Sequence, residues 1–263
     1  MLPSIYIPHG GGPCFFMDWN MGPADTWHKM AQWLGELGAT LPNKPTAILV
    51  ISAHWEESVV SVGSHANPPL IYDYFGFPEH TYQITYPAPG APHIAQQVQQ
   101  LLEQAGIACK QDSVRGLDHG VFIPFKLIYP DADIPVLQLS LNSSLDPRAH
   151  ISLGEALAPL REQDVLIIGS GMSFHNMGLL QTGHCDGHSD QFDQWLSKTC
   201  QLPADQRDAQ LMQWAGAPSA LQAHPREEHL LPLMVAAGAA KGGANMIFSD
   251  RVMGAVVSAY QFD

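Results

Sequence analysis

Short apolar runs alternate along the chain with amphipathic stretches, and this alternation predicts strands separated by helices. The predicted strands cover residues 4–7, 46–52, 59–63, 107–111, 136–141 and 165–168. A further pair of strands is predicted within residues 246–259, with its turn around residues 249–250. Runs that are apolar throughout are typical of strands buried on both faces of a parallel or mixed sheet.

Helical spacing of apolar residues is clearest at residues 92–105, where Ile94, Val98 and Leu102 fall on one stripe and Pro92 suits the first helical position. Other helices are predicted at residues 26–37, 121–128, 147–161, 189–199, 204–214 and 226–240, the last ended by Gly242 and Gly243. The pattern predicts an α/β fold with a mixed, mostly parallel central sheet and helices on both faces. No linker-like or repeated segment interrupts residues 1–263, so we expect a single domain.

Charge and composition narrow the function classes. The chain has 12 Lys+Arg against 25 Asp+Glu, a net charge of −13, which disfavours a nucleic-acid partner. The longest apolar runs are far shorter than the roughly 20 residues of a membrane span, and no signal-peptide pattern begins the chain. The four cysteines are widely spread without a CxxC pair, which is typical of free thiols in a reducing compartment. We therefore expect a cytoplasmic protein without a membrane partner.

Thirteen histidines are present, and three of them follow predicted strands in the same way. His9 follows the strand at 4–7, His54 ends the strand at 46–52, and His175 comes after the strand at 165–168. In open α/β sheets, ligands bind beyond the carboxyl ends of the strands, where rigid neighbouring strands can bring distant imidazoles together. Since histidine is the commonest metal ligand, these positions predict a metal site.

Two further histidines are candidates for the same site. His119 lies in a polar turn before an apolar helix, where Asp118 or a main-chain carbonyl could fix its tautomer. His229 lies at the start of the helix predicted at residues 226–240. A segment rich in aromatic rings could line a pocket for an aromatic substrate. Its rings are Tyr72, Tyr74, Phe75, Phe77, Tyr82 and Tyr86.

A series of short motifs resembles one family over nearly the whole chain. They are Pro8-His9-Gly10-Gly11-Gly12-Pro13, Ser52-Ala53-His54-Trp55, Phe75-Gly76-Phe77-Pro78, Tyr86-Pro87-Ala88-Pro89-Gly90, Leu117-Asp118-His119-Gly120, Tyr129-Pro130-Asp131-Ala132-Asp133-Ile134-Pro135, Gly169-Ser170-Gly171, His175-Asn176 and Glu228-His229-Leu230-Leu231-Pro232-Leu233. The set resembles the class III extradiol ring-cleavage dioxygenases, specifically the DOPA 4,5-dioxygenase group, which is related to the catalytic subunit of protocatechuate 4,5-dioxygenase.

The resemblance implies a catalytic domain over residues 1–263 that cleaves a catechol-type ring with O₂. It implies one Fe(II) per chain, or Zn(II) in its place, with His9 and His54 as ligands. His175 resembles the active-site base and a possible fourth ligand of zinc, and His119 resembles the histidine that contacts the substrate. With three protein ligands, Fe(II) keeps positions for the catechol oxygens and for O₂.

The third ligand is Glu228 or His229. Similarity to the protocatechuate enzyme implies a glutamate as the third ligand. Similarity to the DOPA group instead implies the histidine of the Glu-His-Leu-Leu-Pro motif. Adjacent helical residues point about 100° apart, so one metal ion should not take both side chains. Leu230 and Leu233 have to face the core, which favours His229 as the ligand.

Two other functions are compatible with the same histidines. A zinc-dependent hydrolase would use them to activate water. A non-enzymatic, Memo-like interaction protein would keep the fold without turnover. Oxygen uptake with a catechol and fresh Fe(II) distinguishes these alternatives.

Overall fold

Eight strands form one sheet in the computed structural model, which describes residues 1–185 and 187–263. The strands are β1 (Ser4–Pro8), β2 (Ala47–Glu57), β3 (Val60–Gly63), β4 (Cys109–Asp112), β5 (Val136–Asn142), β6 (Val165–Gly171), β7 (Ala244–Val252) and β8 (Ala255–Phe262). Their order across the sheet is β4-β3-β5-β2-β6-β1-β8-β7. Each predicted strand is present, with ends shifted by a few residues.

The centre of the sheet is parallel and its edges are mixed. Strand β2 pairs in parallel with β5 and β6, and β6 pairs in parallel with β1. The pairs β1–β8, β3–β5 and β7–β8 are antiparallel. Every residue of β1 and β6 is buried, so both faces of the sheet are covered. The predicted mixed, mostly parallel α/β fold is confirmed, and the carboxyl ends of β2, β6 and β1 emerge side by side.

The helices are α1 (His28–Thr40), α2 (Pro92–Gln104), α3 (His119–Ile128), α4 (Pro147–Leu157), α5 (Met177–Thr182), α6 (His188–Cys200), α7 (Ala204–Leu211), α8 (Ala220–Ala223) and α9 (Leu231–Gly238). The short helices α5 and α8 carry too few residues to show an apolar period, and the sequence does not predict them. A 3₁₀ segment, Ala158–Gln163, continues α4. Among the described residues, none of the helices combines the length and the apolarity needed to cross a bilayer.

The predicted turn of the C-terminal hairpin is wrong. Ser249 and Asp250 lie inside β7, and the chain reverses at Met253 and Gly254, which both have positive φ angles. Serine and aspartate are common turn residues, but here Asp250 binds Lys29 at 3.1 Å from within the strand.

The helix predicted at residues 226–240 is also too long. Helix α9 begins at Leu231 and ends at Gly238, so Glu228 and His229 lie in the turn before it. Pro232 marks the start because proline fits the first turn of a helix, where its missing N–H needs no partner. At the other end, the buried guanidinium of Arg207 donates to the carbonyls of Ala237 and Ala240.

Candidate metal centre

Three imidazoles meet at the carboxyl edge of the sheet. His9 follows β1, His54 lies on β2 within the stretch where its pairing with β5 shifts register, and His229 precedes α9. The Nε2 atoms of His9 and His54 are 3.2 Å apart. The ring centre of His229 lies 5.2 Å from that of His9 and 4.9 Å from that of His54. One nitrogen of each ring falls within 4.8 Å of the others, which is a spacing that one metal ion can bridge.

Two glycines of β6 let the His229 segment approach the sheet. A Cβ atom at Gly171 would collide with the carbonyl oxygen of His229, and one at Gly169 would collide with that of Pro232. The His229 carbonyl accepts hydrogen bonds from the Tyr6 hydroxyl at 2.8 Å and from the Met172 N–H at 3.2 Å. The backbone of His229 is therefore fixed against β1 and β6, as a rigid ligand position requires.

Hydrogen bonds fix the tautomers of two of these rings. Ser170 donates its hydroxyl to the Gly120 carbonyl and so accepts from the His9 Nδ1–H, at 3.0 Å. The Nδ1 atom of His229 lies 2.9 Å from a carboxylate oxygen of Glu228, which can only accept. Both rings therefore keep the Nε2 lone pair for a metal ion, and these partners hold the ring orientation. This donor set fits a metal ion.

The surroundings of the three histidines keep them neutral. Burial, followed by the repulsion of neighbouring imidazoles, lowers the pKa of His9 and of His229 well below the usual value. Burial and the nearby His119 lower the pKa of His54 to about 3. A neutral imidazole is the form that coordinates metals, so the site is ready for a cation at neutral pH.

His119 lies beside this trio and is held by a carboxylate that sequence reasoning missed. Its ring centre is 4.0 Å from that of His54. Its Nδ1 atom is 2.8 Å from Asp73 Oδ1, and its backbone N–H donates to the same oxygen at 3.0 Å. Burial would raise the pKa of Asp73, but the hydrogen bonds from His119 outweigh it and lower the pKa. Asp73 is 46 residues from His119 in the sequence. The sequence feature that could have pointed to Asp73 is its position between Tyr72 and Tyr74, in the segment predicted to line the pocket.

Asp118 does not orient the ring of His119. Its side chain is fully buried, which raises its pKa, and accepts hydrogen bonds from Ser52 at 2.8 Å and Arg115 at 3.2 Å. Arg115 also donates to the main-chain carbonyl of His54. Asp118 therefore connects the strand that carries His54 to the start of the helix that carries His119.

His175 lies at the edge of the site, beside Glu228 and His229. Its ring stacks on that of His229, with centres 3.4 Å apart and planes inclined by 16°. Its Nδ1 atom lies 3.4 Å from the same Glu228 oxygen that binds His229. A possible metal-binding group joins His175 to Glu228 and His229, whereas the group of His9, His54 and His229 does not include it. Its role as a fourth ligand stays a prediction.

The helix argument for choosing between Glu228 and His229 is wrong, because both residues precede α9 and their side chains contact each other. The Glu228 carboxylate has one oxygen on His229 Nδ1 and the other 3.4 Å from Arg226, which binds Glu56 through two hydrogen bonds of 2.6 and 2.5 Å. Burial would raise the pKa of Glu228, but the hydrogen bond from His175 outweighs it and the pKa is lowered.

A cavity of about 790 Å³ opens over the histidines, within the range that small-molecule sites occupy. Its lining includes His9, His54, His119, His175 and His229. Of the predicted aromatic residues, Tyr74, Phe75 and Phe77 line it. Tyr72 and Tyr82 instead pack around Tyr74, with ring centres 6.1 and 5.2 Å away.

Comparison with known proteins gives concordant matches. The family model of the catalytic LigB subunit of aromatic ring-opening dioxygenase matches residues 4–260. A 4,5-DOPA dioxygenase extradiol of Beta vulgaris is 46% identical over 75% of this chain and 74% of its own. One of Mirabilis jalapa is 38% identical over 91% of this chain and 87% of its own. The crystal structure of an uncharacterized protein from Escherichia coli K12 aligns over 100% of both chains with a TM-score of 0.80 and 28% identity.

Proposed function

This chain belongs to the family of the catalytic LigB subunit of aromatic ring-opening dioxygenases, and on that premise we propose how its own residues perform the reaction. It is a metal-dependent extradiol dioxygenase, an oxidoreductase for a small aromatic substrate and O₂. The family and its relatives favour this activity over a zinc-dependent hydrolase or a Memo-like interaction protein. Extradiol cleavage breaks the ring bond beside the diol and places both atoms of O₂ in the product.

His9, His54 and His229 bind one metal ion per chain through their Nε2 atoms in this proposal. The supporting observations are their convergence, their lowered pKa values and the two fixed tautomers. When bound, the metal ion supplies the Lewis acid and the redox centre for catechol and O₂. We favour Fe(II) because Zn(II), which suits the same imidazoles, has no redox chemistry of its own.

His175 and His119 handle the substrate. The Nδ1 atom of each ring faces a carboxylate, Glu228 for His175 and Asp73 for His119, and this leaves the Nε2 atom as a proton acceptor. His175 takes a proton from a catechol hydroxyl and later returns it to the product as a general acid. His119 orients the diol by accepting a hydrogen bond. Tyr74 and Phe77, which also line the cavity, offer apolar contact to the substrate ring.

The observation that carries the proposal is the meeting of three neutral imidazoles beneath a cavity with an aromatic lining. The plant relatives are named for DOPA, so DOPA is one of the catechols to test, beside unsubstituted catechol.

The test loads metal-free protein with Fe(II) or with Zn(II) under anaerobic conditions. The loaded protein is then mixed with a catechol in air-saturated buffer, and oxygen uptake and product mass are followed. The proposal expects uptake with Fe(II) alone and a product heavier than the substrate by one O₂. His9→Ala is the control that should take up none. Ester hydrolysis by the Zn(II) form without oxygen uptake would establish the hydrolase, and binding of catechols without any turnover would establish a non-enzymatic protein.

A further inference from the structure

The cavity above the histidines is uncharged apart from the site itself. None of the described residues that line it is Asp, Glu, Lys or Arg. Apart from the histidines, its polar groups are neutral: the amides of Asn20 and Gln181, the indole N–H groups of Trp19 and Trp27, and the Tyr74 hydroxyl, which donates to the Thr81 carbonyl. Five methionines line it, at positions 17, 21, 172, 177 and 253. Methionine is flexible and polarizable, so such a lining adapts to apolar groups of different shapes and contacts aromatic rings favourably. A charged group in this cavity would lose water without gaining a side chain of opposite charge from Asp, Glu, Lys or Arg in the described lining, which costs free energy.

The mouth of the cavity carries apolar side chains that are exposed to solvent. Phe75 is 91% exposed, Met21 58% and Met177 49%, and they come from three separate segments. Gly76, directly after Phe75, has a φ of 78° and no atom near its missing Cβ, so the segment turns outward there. Exposed apolar residues gathered at one opening are typical of a ligand-binding surface rather than of ordinary exposure.

The two cationic side chains of the groove beside the mouth, Lys29 and Arg251, already have carboxylate partners. A neighbouring groove of about 960 Å³ shares Met21, Leu180, Gln181 and Met253 with the cavity. Its Lys29 binds Asp250 at 3.1 Å, and its Arg251 binds Asp190 at 2.6 Å. An anionic substituent that extended into this groove would have to compete with Asp250 and Asp190 for these cations.

We propose that the site selects catechols whose ring carries a neutral, apolar substituent, and that Phe75, Met21 and Met177 contact this substituent at the mouth. The inference rests on the proposed function and names the substrate class of that same site. The volume supports it, because a cavity near 800 Å³ suits ligands larger than a single ring, whose diol takes the histidine end.

The test compares two substrates that differ at one terminal group, 4-propylcatechol and 3-(3,4-dihydroxyphenyl)propanoate. The ethylene spacer keeps the electronic character of the ring nearly equal, so kcat/KM reports on how the terminal methyl or carboxylate is accommodated. We expect the Fe(II) enzyme to favour 4-propylcatechol roughly 10–100-fold, the usual discrimination by an apolar pocket. L-DOPA, with a zwitterionic side chain, should also fall below 4-propylcatechol. Equal values, or a preference for either charged substrate, would overturn the proposal.

Variants assign the preference to the mouth. Phe75→Ala should reduce the ratio of the two kcat/KM values several-fold, mainly by weakening 4-propylcatechol, while Met177→Lys should move it toward the carboxylate. Leu221→Ala is the matched control, since Leu221 is 59% exposed and lies outside the cavity lining. An unchanged ratio in both mouth variants would contradict the contacts assigned to them.

Anaerobic calorimetry of both ligands with the metal-loaded protein separates this proposal from the function itself. If no catechol is cleaved, the proposed function fails, and the two dissociation constants still decide the selectivity. If catechol is cleaved but the propyl and carboxylate ligands bind equally, the function stands and the selectivity is refuted.

Discussion

Ser170→Ala tests how the protein prepares His9 for a metal ion. The Ser170 hydroxyl accepts from the His9 Nδ1–H at 3.0 Å and donates to the Gly120 carbonyl, and the serine is fully buried. Alanine leaves both groups without a partner. An unsatisfied buried polar group costs about 1–3 kcal/mol, so we expect the two groups together to lower the free energy of unfolding by roughly 2–6 kcal/mol.

The effect on metal binding is the informative part. Without Ser170, the His9 ring can rotate or move its proton to Nε2, the atom that should bind the metal. Loss of such a supporting hydrogen bond typically weakens metal affinity by about 10–100-fold. This corresponds to roughly 1.4–2.7 kcal/mol of binding free energy.

The assay is competition of the folded protein with a chromophoric chelator for Zn(II), beside urea unfolding of the metal-free form. Ser4→Ala is the matched control, because Ser4 is a buried serine of β1 whose hydroxyl donates to the Ala236 carbonyl at 2.6 Å, remote from the histidines. It should lose stability but keep full metal affinity. If Ser170→Ala binds metal as tightly as Ser4→Ala does, the reasoning about the His9 tautomer is refuted.

Three other predictions concern proton transfer, orientation and acid stability. His175→Gln and His119→Gln should each lower kcat by about 100-fold, because each variant loses a general base or a substrate contact. The metal content of His119→Gln should be unchanged. Near-normal turnover by both variants would show that the two histidines have structural roles. Asp73→Asn should lower kcat without altering metal content, because the His119 Nδ1–H loses its carboxylate acceptor at 2.8 Å; steady-state kinetics at constant metal occupancy checks this. The metal-free protein should lose stability as pH falls from about 6.5 toward 3, because the unfolded chain protonates histidines that burial keeps neutral in the fold, His54 with a pKa of about 3 among them. Each such histidine changes the free energy of unfolding by up to about 1.4 kcal/mol per pH unit. Equal free energies of unfolding at pH 7 and pH 5, measured with urea, would contradict this prediction.

The elements that could be predicted are those with strong local patterns. Apolar runs locate the strands, and since parallel neighbours end at one edge, the ends of β1 and β2 place His9 and His54 together. The predicted boundaries of α9 are wrong because all eight of its residues are buried. A helix without a polar face has no apolar period in the sequence that could show where it begins and ends. Pro232 is the sequence signal that could have located its start.

The supporting contacts of the site could not be predicted, because they join residues distant in sequence. Asp73 binds a histidine 46 residues away, and Ser170 binds one 161 residues away. Asp118, adjacent to His119, was the obvious local partner, but its carboxylate is turned toward Ser52 and Arg115. Side-chain direction at such positions depends on packing that no local pattern encodes.

Metal analysis of four variants tests the central claim most directly. The metal content of His9→Ala, His54→Ala, His229→Ala and Glu228→Gln is measured after loading with Fe(II) at a saturating concentration and removal of free metal. The account predicts that each histidine variant loses its metal, whereas Glu228→Gln keeps one ion per chain with weaker affinity, because Glu228 supports His229 and does not bind the metal. Loss of the metal from the Glu228 variant and its retention by His229→Ala would contradict the three-histidine site and make Glu228 the third ligand.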